Sequence, residues 1–318
     1  MPQYSAGQVK MESGVLYAST MQSVNRVTDV KIDYSIPRTN VNVLNRGKPL
    51  EQRPVINYIP VNVSLDMYKS DNSLEQMLGL VNTTGVAMLI TDTNPLTATY
   101  GIRSMQVYYA PTSSSNYNSL LDIKSGVLTS YSLQGSISEP MRQSVALQFL
   151  DMSGSVNTNL RDTTTYASAV VKPENMALNN IQFAGYGITG ITIQSFSLGI
   201  QFTRTSVMQM GSRFPQSRPL TDVNATLQVQ GFVEGFNNTM TGLSVYNCGT
   251  PTYGSVTLVM TPACAVTSPT TITIGNPYLE SVSIAGQVGN FTTISMSFSM
   301  PLGPNPLEVS DGSTLTIT

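Results

Sequence analysis

The chain has 318 residues, of which 41% are apolar and 11% charged, with a formal net charge of −2 and neither histidine nor tryptophan. It is long enough for two domains and apolar enough for real cores, which excludes a disordered chain. Without histidine, Ser-His-Asp and Cys-His nucleophilic sites and His-ligated metals are excluded, and Asn, Ser, Thr and Gly carry the polar load.

The first residues, MPQYSAGQVKMESG, hold no apolar h-region, so no signal peptide is expected. The longest purely aliphatic run, Val86 to Ile90, is too short to span a bilayer, so no membrane-spanning segment is expected. The first clear strand places Val30, Ile32, Tyr34 and Ile36 on one face and Asp29, Lys31, Asp33 and Ser35 on the other. A connection rich in Arg, Pro and Gly follows, carrying Arg38, Arg46, Lys48 and Arg53 with Gly47, Pro49 and Pro54 to turn and stiffen it. Its NRGKPLEQ is no phosphate cradle, because the upstream Gly and the Ser/Thr after Lys are missing. The chain returns in a strand with Val61, Val63, Leu65 and Met67 opposite Asn62, Ser64 and Asp66.

SDNSLEQMLGLV then reads as a short helix. Asp71 or Ser73 is the cap, Glu75 sits in the first turn, Leu74, Met77 and Leu78 form the apolar stripe, and Gly79 ends it. VAMLITD and SMQVYYA read as more buried strands, and YSLQGSISEPMRQSVALQF (residues 131–149) as a strand, a turn and an antiparallel return.

The second half follows the same order. Phe196, Leu198, Ile200 and Phe202 repeat the first strand's apolar face, while its polar face becomes Ser197, Gly199, Gln201 and Thr203. A second basic connection, with Arg204, Arg213 and Arg218, repeats Arg-Thr and Arg-Pro landmarks: Arg38-Thr39 matches Arg204-Thr205, and Arg53-Pro54 matches Arg218-Pro219. ATLQVQGFVEG matches the Val61 strand, and VSIAGQVGNFTTISMSFSM matches the closing pair. The first matches are offset by about 166 and the last by 151. Two matches in order point to an internal duplication, with domains 1–160 and 161–318 and the boundary somewhere in 153–180.

Charge is uneven: residues 1–218 hold 16 bases and 13 acids, whereas residues 219–318 hold five acids and no base. Complementary patches would suit self-association, and drift in a weakly charged chain is the other reading. Cys248 and Cys264 read either as buried thiols or as a disulfide. A lone pair cannot form a thiolate zinc site, and no cofactor is expected. The basic connections are either docking arms or solvated hairpins; Asp29, Asp33 and Asp66 mark either a functional face or an ordinary wet one.

The order of a polar-faced strand, a long Arg/Pro/Gly connection, a returning strand, a short helix and GVLTSYSLQGSISEPMRQSVALQF (residues 126–149) resembles tail tube proteins of tailed bacteriophages. The first copy resembles them over about residues 15–153; the second is more divergent and has no helix beyond FNNTMTGLS. The resemblance implies two tandem tail-tube-like β-sandwich or barrel domains, each with a short helix. It implies a non-enzymatic structural subunit whose rings stack into a hollow cylinder. With two fused domains, three chains would close a pseudo-six-fold ring. Such a tube would conduct double-stranded DNA without specific binding and enclose the tape-measure protein. It would end at a tail terminator or distal tail protein, and would belong to the virion tail after assembly in the bacterial cytoplasm. Arg38, Arg46, Lys48, Arg53, Arg204, Arg213 and Arg218 would then contact the adjacent ring, and Asp29, Asp33 and Asp66 would face the lumen. A neutral-to-acidic wall repels phosphates, whereas a basic one would hold them. The alternative is another virion ring component on a related fold, such as a distal tail, baseplate, capsid or decoration protein. A carbohydrate-binding or hydrolytic domain would want Trp or paired carboxylates, and the sequence offers neither.

Overall fold

Long runs of two-residue alternation, with helix signals in one short segment, produce a mainly β chain. The computed structural model describes residues 4–13, 21–34, 38–41, 50–54, 60–78, 80, 102–111, 119–137, 139–156, 176–186, 190–210, 214–233, 254–262, 269–286, 292–301 and 314–317. The first half holds β1 (Tyr4–Ser13), β2 (Gln22–Val24), β3 (Val27–Tyr34), β4 (Arg38–Val41), β5 (Leu50–Pro54), β6 (Val61–Tyr68), α1 (Ser73–Met77), β7 (Ile102–Pro111), β8 (Ser119–Ser136) and β9 (Arg142–Val156). The second holds β10 (Met176–Ala184), β11 (Ile191–Arg204), β12 (Leu220–Val233), β13 (Ser255–Pro262), β14 (Thr270–Gly275), β15 (Tyr278–Ala285), β16 (Thr293–Pro301) and β17 (Thr314–Ile317).

All pairings are antiparallel. Eight strands follow one another in the order β3-β6-β9-β8-β11-β12-β16-β15, and β7-β1-β2 branches from β8 to complete an 11-stranded sheet. A second sheet runs β10-β13-β14-β17, and among the described residues β4 pairs only with β5. Strand β8 carries the junction. One edge pairs with β9 over most of its length; the other pairs with β7 up to Gly126 and with β11 from Ser130 onward. Just before the β7-paired stretch ends, Ser125 adopts φ +59, a left-handed conformation that a non-glycine residue rarely takes. A Cβ on the next residue, Gly126, would lie 2.2 Å from the Phe149 ring, so any larger residue would force that buried ring to shift.

The orders β3-β6-β9-β8 and β11-β12-β16-β15 share their register as well as their sequence of pairing. Ile32↔Val63↔Leu147 has its counterpart in Leu198↔Leu227↔Phe298. Tyr131↔Val145 has its counterpart in Val282↔Met296, and the register shift between Leu128 and Ser130 falls where β15 shifts between Leu279 and Ser281. The other layer corresponds in the same way, Val9↔Val107 and Met105↔Ile123 with Ile181↔Leu258 and Val256↔Ile274. Where β9 runs on to pair Ile123 with Met152, a separate strand takes over in the second half, pairing Ile274 with Leu315.

The inward faces of these strands form one core, including Val63, Leu65, Leu133, Leu147 and Phe149 in the first half and Leu198, Leu227, Met296 and Phe298 in the second. Across the layers Phe183 stacks on Phe298 at 5.9 Å, and Tyr186 meets it edge-on at 5.6 Å. Leu74, Met77 and Leu78 of α1 are buried as their spacing predicts, and Asp71 accepts hydrogen bonds from the Ser73 N–H and hydroxyl. Glu75 in the first turn is buried, and Lys69 and Tyr131 supply the partners its carboxylate needs. VAMLITD, FNNTMTGLS, Gly79, Cys248 and Cys264 lie outside the described residues.

Candidate functional site

In an antiparallel sheet directly opposed residues share a face, so the registers determine what each side presents. One row runs Asp29–Asp66–Ser144–Ser132–Gly199–Thr226–Ser299 across seven strands. A parallel row runs Tyr68–Arg142–Gln134–Ser197–Gln228–Ser297–Ser281. The outer face is therefore a broad surface of hydroxyls and amides. The three acids singled out from the sequence, Asp29, Asp33 and Asp66, are brought together on it and are exposed, Asp29 directly opposite Asp66.

The charges of this face are engaged with one another or with neighbouring groups. Lys31 lies 2.9 Å from Asp33, whose hydrogen bond, followed by its charge, raises the Lys31 ammonium above its ordinary pKa. Asp66 accepts from the Ser144 hydroxyl, and the Arg142 guanidinium lies 5.7 Å from the Tyr68 ring centre. Two depressions open on the face beside Arg142, one lined by Gln134, Ser136, Glu139 and Gln230, the other by Asp29, Asp66, Ser132 and Ser144.

The described ends of the basic connections pair with each other. Arg38 and Arg53 lie in the β4–β5 ladder, where Arg38 pairs with Pro54 and Thr39 with Arg53. In the second half a single bridge, Val207↔Ser217, holds the corresponding place. Arg46, Lys48 and Arg213 lie outside the described residues. Arg204 is half-buried and donates to the Arg218 carbonyl at 3.1 Å. Arg218 is 1% exposed, and its guanidinium donates to the main-chain carbonyls of Ser125 at 2.8 Å and Gln148 at 3.2 Å. That side chain is therefore directed into its own chain, across the β8–β11 junction, and not outward as an arm for another ring. Composition gives no sign of this, since both acceptors are main-chain oxygens at least 70 residues away.

The two ends of the eight-strand order form a second candidate surface. Among the described residues β3 pairs with β6 alone and β15 with β16 alone. Tyr34 on β3 is 57% exposed, while its counterpart Ile200 on β11 is 1% exposed because β8 lies against it.

One buried polar cluster was not anticipated from the sequence. Lys69 and Glu75 form an ion pair at 2.5 Å with both side chains fully buried. Lys69 also donates to the Asp71 carbonyl at 3.1 Å and the Asn72 Oδ1 at 3.0 Å, and the Tyr131 hydroxyl donates to Glu75 Oε1 at 2.7 Å. Burial, then the Glu75 charge, raises the Tyr131 hydroxyl well above its ordinary pKa. Through Tyr131 and Lys69 the cluster ties α1 to β8 and to the end of β6. Among the described residues no three His, Cys, Asp or Glu gather as metal ligands, and no helix is long and apolar enough to cross a membrane. No protein-family model matches the chain, and no curated protein is significantly similar to it.

Proposed function

We propose that the chain is a structural subunit of a bacteriophage tail tube, built from two duplicated domains. The observation that carries this reading is the repeated ladder: β3-β6-β9-β8 and β11-β12-β16-β15 share one register and join head to tail at β8–β11. A head-to-tail contact is heterologous, and repetition of the same rotation closes a ring. The β15 edge of one chain would pair with the β3 edge of the next as β8 pairs with β11. Three chains would then supply six domains, and closure would remove the open edges that otherwise invite aggregation.

The hydroxyl- and amide-rich face would line the bore, with Asp29, Asp33 and Asp66 keeping it from gripping phosphate. DNA would pass without specific binding, and the tape-measure protein would occupy the bore during assembly. The tips of the basic connections, Arg46 and Lys48 in one copy and Arg213 in the other, would stack one ring on the next. No step of this role is enzymatic. Its site of action would be the virion tail.

Electron microscopy of the purified full chain over a range of concentration and salt tests the reading. Stacked three-chain rings forming a hollow cylinder are expected. A particle that stops at one ring or closes into a shell would instead indicate a distal tail, baseplate, capsid or decoration protein, and persistent monomers would overturn the reading. Reversal of Arg46 and Lys48 to Glu should leave single rings that do not stack.

A further inference from the structure

Arg218 clasps the junction between the two halves. It sits on the connection leading into β12 and binds Ser125 and Gln148, carbonyls of β8 and β9 on the other side of the β8–β11 seam. Its acceptor site has a recognisable backbone: Ser125 at φ +59, followed by Val127 paired with Gln148.

The second half carries the same acceptor backbone at a constant offset of 151 residues. Ser104↔Lys124 corresponds to Ser255↔Gly275, and Val127↔Gln148 to Tyr278↔Ser299. Ser125 therefore corresponds to Asn276, which has φ +51, and Gln148 corresponds to Ser299. The arginine that corresponds to Arg218 is Arg53, in β5, followed by Pro54 as Arg218 is followed by Pro219. Within one chain these two lie at opposite ends of the eight-strand order: Arg53 follows β3 in the chain, and Asn276 immediately precedes β15.

Resting on the ring reading above, we propose that Arg53 binds across the contact between chains. Its guanidinium donates to the main-chain carbonyls of Asn276 of the partner subunit and Ser299 of the partner subunit, repeating between chains the clasp that Arg218 makes within one. A guanidinium suits the task because its fixed fork of donors reaches two carbonyls at once, which an ammonium on a flexible stem does less well. The acceptors are neutral, so the contact resists salt better than a surface ion pair. Each end of the chain would carry half of a clasp, one the donor and the other the acceptor. The polarity of assembly would follow from this arrangement.

The test uses the full chain as wild type, Arg53→Ala, Arg53→Lys and Arg218→Ala, with assembly followed by sedimentation and the dilute monomer by thermal melting. Arg53→Ala should raise the concentration needed for ring formation by about ten- to a hundredfold, at low and high salt alike, with an unchanged monomer melting temperature. Arg53→Lys should recover part of that loss. Arg218→Ala should lower the melting temperature of the monomer itself. Assembly of Arg53→Ala at the wild-type concentration would overturn the clasp and leave the ring standing, as would a monomer destabilised by Arg53→Ala. A wild-type chain that never assembles would overturn both.

Discussion

The junction between the two halves and the outer edges of the same sheet are built from corresponding strands, yet they differ in burial. At the junction β11 lies against β8, and Phe196, Leu198 and Ile200 are buried. At the outer edge β3 has no such neighbour among the described residues, and there Val30 and Ile32 are half-buried and Tyr34 is exposed. Strand β15 repeats the contrast on the other side: Val282 and Ile284 are half-buried where Tyr131 and Leu133 of β8 are buried. The residue types are alike, so the difference lies in the missing neighbour. Under the proposed ring these edges would form one further seam.

The sharpest way to break the comparison is a charge at Tyr34. In the free chain this side chain is exposed, so Tyr34→Glu should leave the circular dichroism spectrum and melting temperature unchanged. In a closed ring it would take the buried place of Ile200, where an unpaired carboxylate is costly. Ring formation, read by sedimentation, should be abolished.

Next in size is the buried ion pair, which separates the two halves. The main-chain bond from Lys69 N–H to the Met141 carbonyl corresponds to that from Val233 N–H to the Thr292 carbonyl, so valine stands where the first half has lysine. Val282 likewise stands in place of Tyr131. Lys69→Met alone should cost about 3–5 kcal/mol in urea unfolding, because Glu75 is left as an uncompensated buried charge. Replacing Lys69, Glu75 and Tyr131 together by Met, Leu and Phe should restore most of that loss, since valines hold the places of Lys69 and Tyr131 in the second half.

Arg218→Ala follows, at about 1.5–3 kcal/mol for the lost charge-assisted hydrogen bonds. Its effect should appear in the monomer, in contrast to that of Arg53→Ala.

The smallest effect concerns Tyr186, which packs on Phe298 and donates to the Pro277 carbonyl. Burial pushes its hydroxyl from 10.0 up to about 12. Below pH 10 the group is protonated in folded and unfolded chains alike, so its contribution is fully present. Between about 10 and 12 the unfolded chain loses its proton first, and stability falls as pH rises. Tyr186→Phe should make the alkaline decline in melting temperature shallower, at a cost of about 1 kcal/mol at neutral pH.

The strands easiest to read in the sequence were those with one wet and one buried face. In β3, β6, β11 and β12 alternation fixes the register, and a slip of one residue would turn every side chain over. Strands β1, β10, β13, β14 and β17 were not read. Val259 breaks the alternation of SVTLVMTP, TTITIG has six residues, and β1 carries an irregular Ser-Ala-Gly start whose pairing depends on β7, about 100 residues away. The stretch read as the linker between halves already contains the start of β10, where Met176 hydrogen-bonds to both Lys69 and Met141. Nonlocal partners also explain why the surroundings of two charges were not legible. The burial of Glu75 does not show in the sequence because Tyr131 is 56 residues away. Arg218 looked like a free loop cation because its acceptors are main-chain carbonyls, which any residue type can provide. By contrast, Asp29, Asp33 and Asp66 were legible as a group, since strand alternation alone puts them on one face.

The most direct test of the central claim is a disulfide across the inferred contact. Transferring the observed pair Gly199↔Ser132 to the outer edges places Asp33 of one chain opposite Ser283 of the partner subunit. Directly opposed strand residues lie within disulfide reach. In a chain with Cys248 and Cys264 replaced by Ser, the double variant Asp33→Cys and Ser283→Cys should, on oxidation, give a closed covalent ring of three chains on a denaturing non-reducing gel. Uncrosslinked monomers would contradict head-to-tail edge pairing, and a covalent ring of six would contradict the three-chain closure.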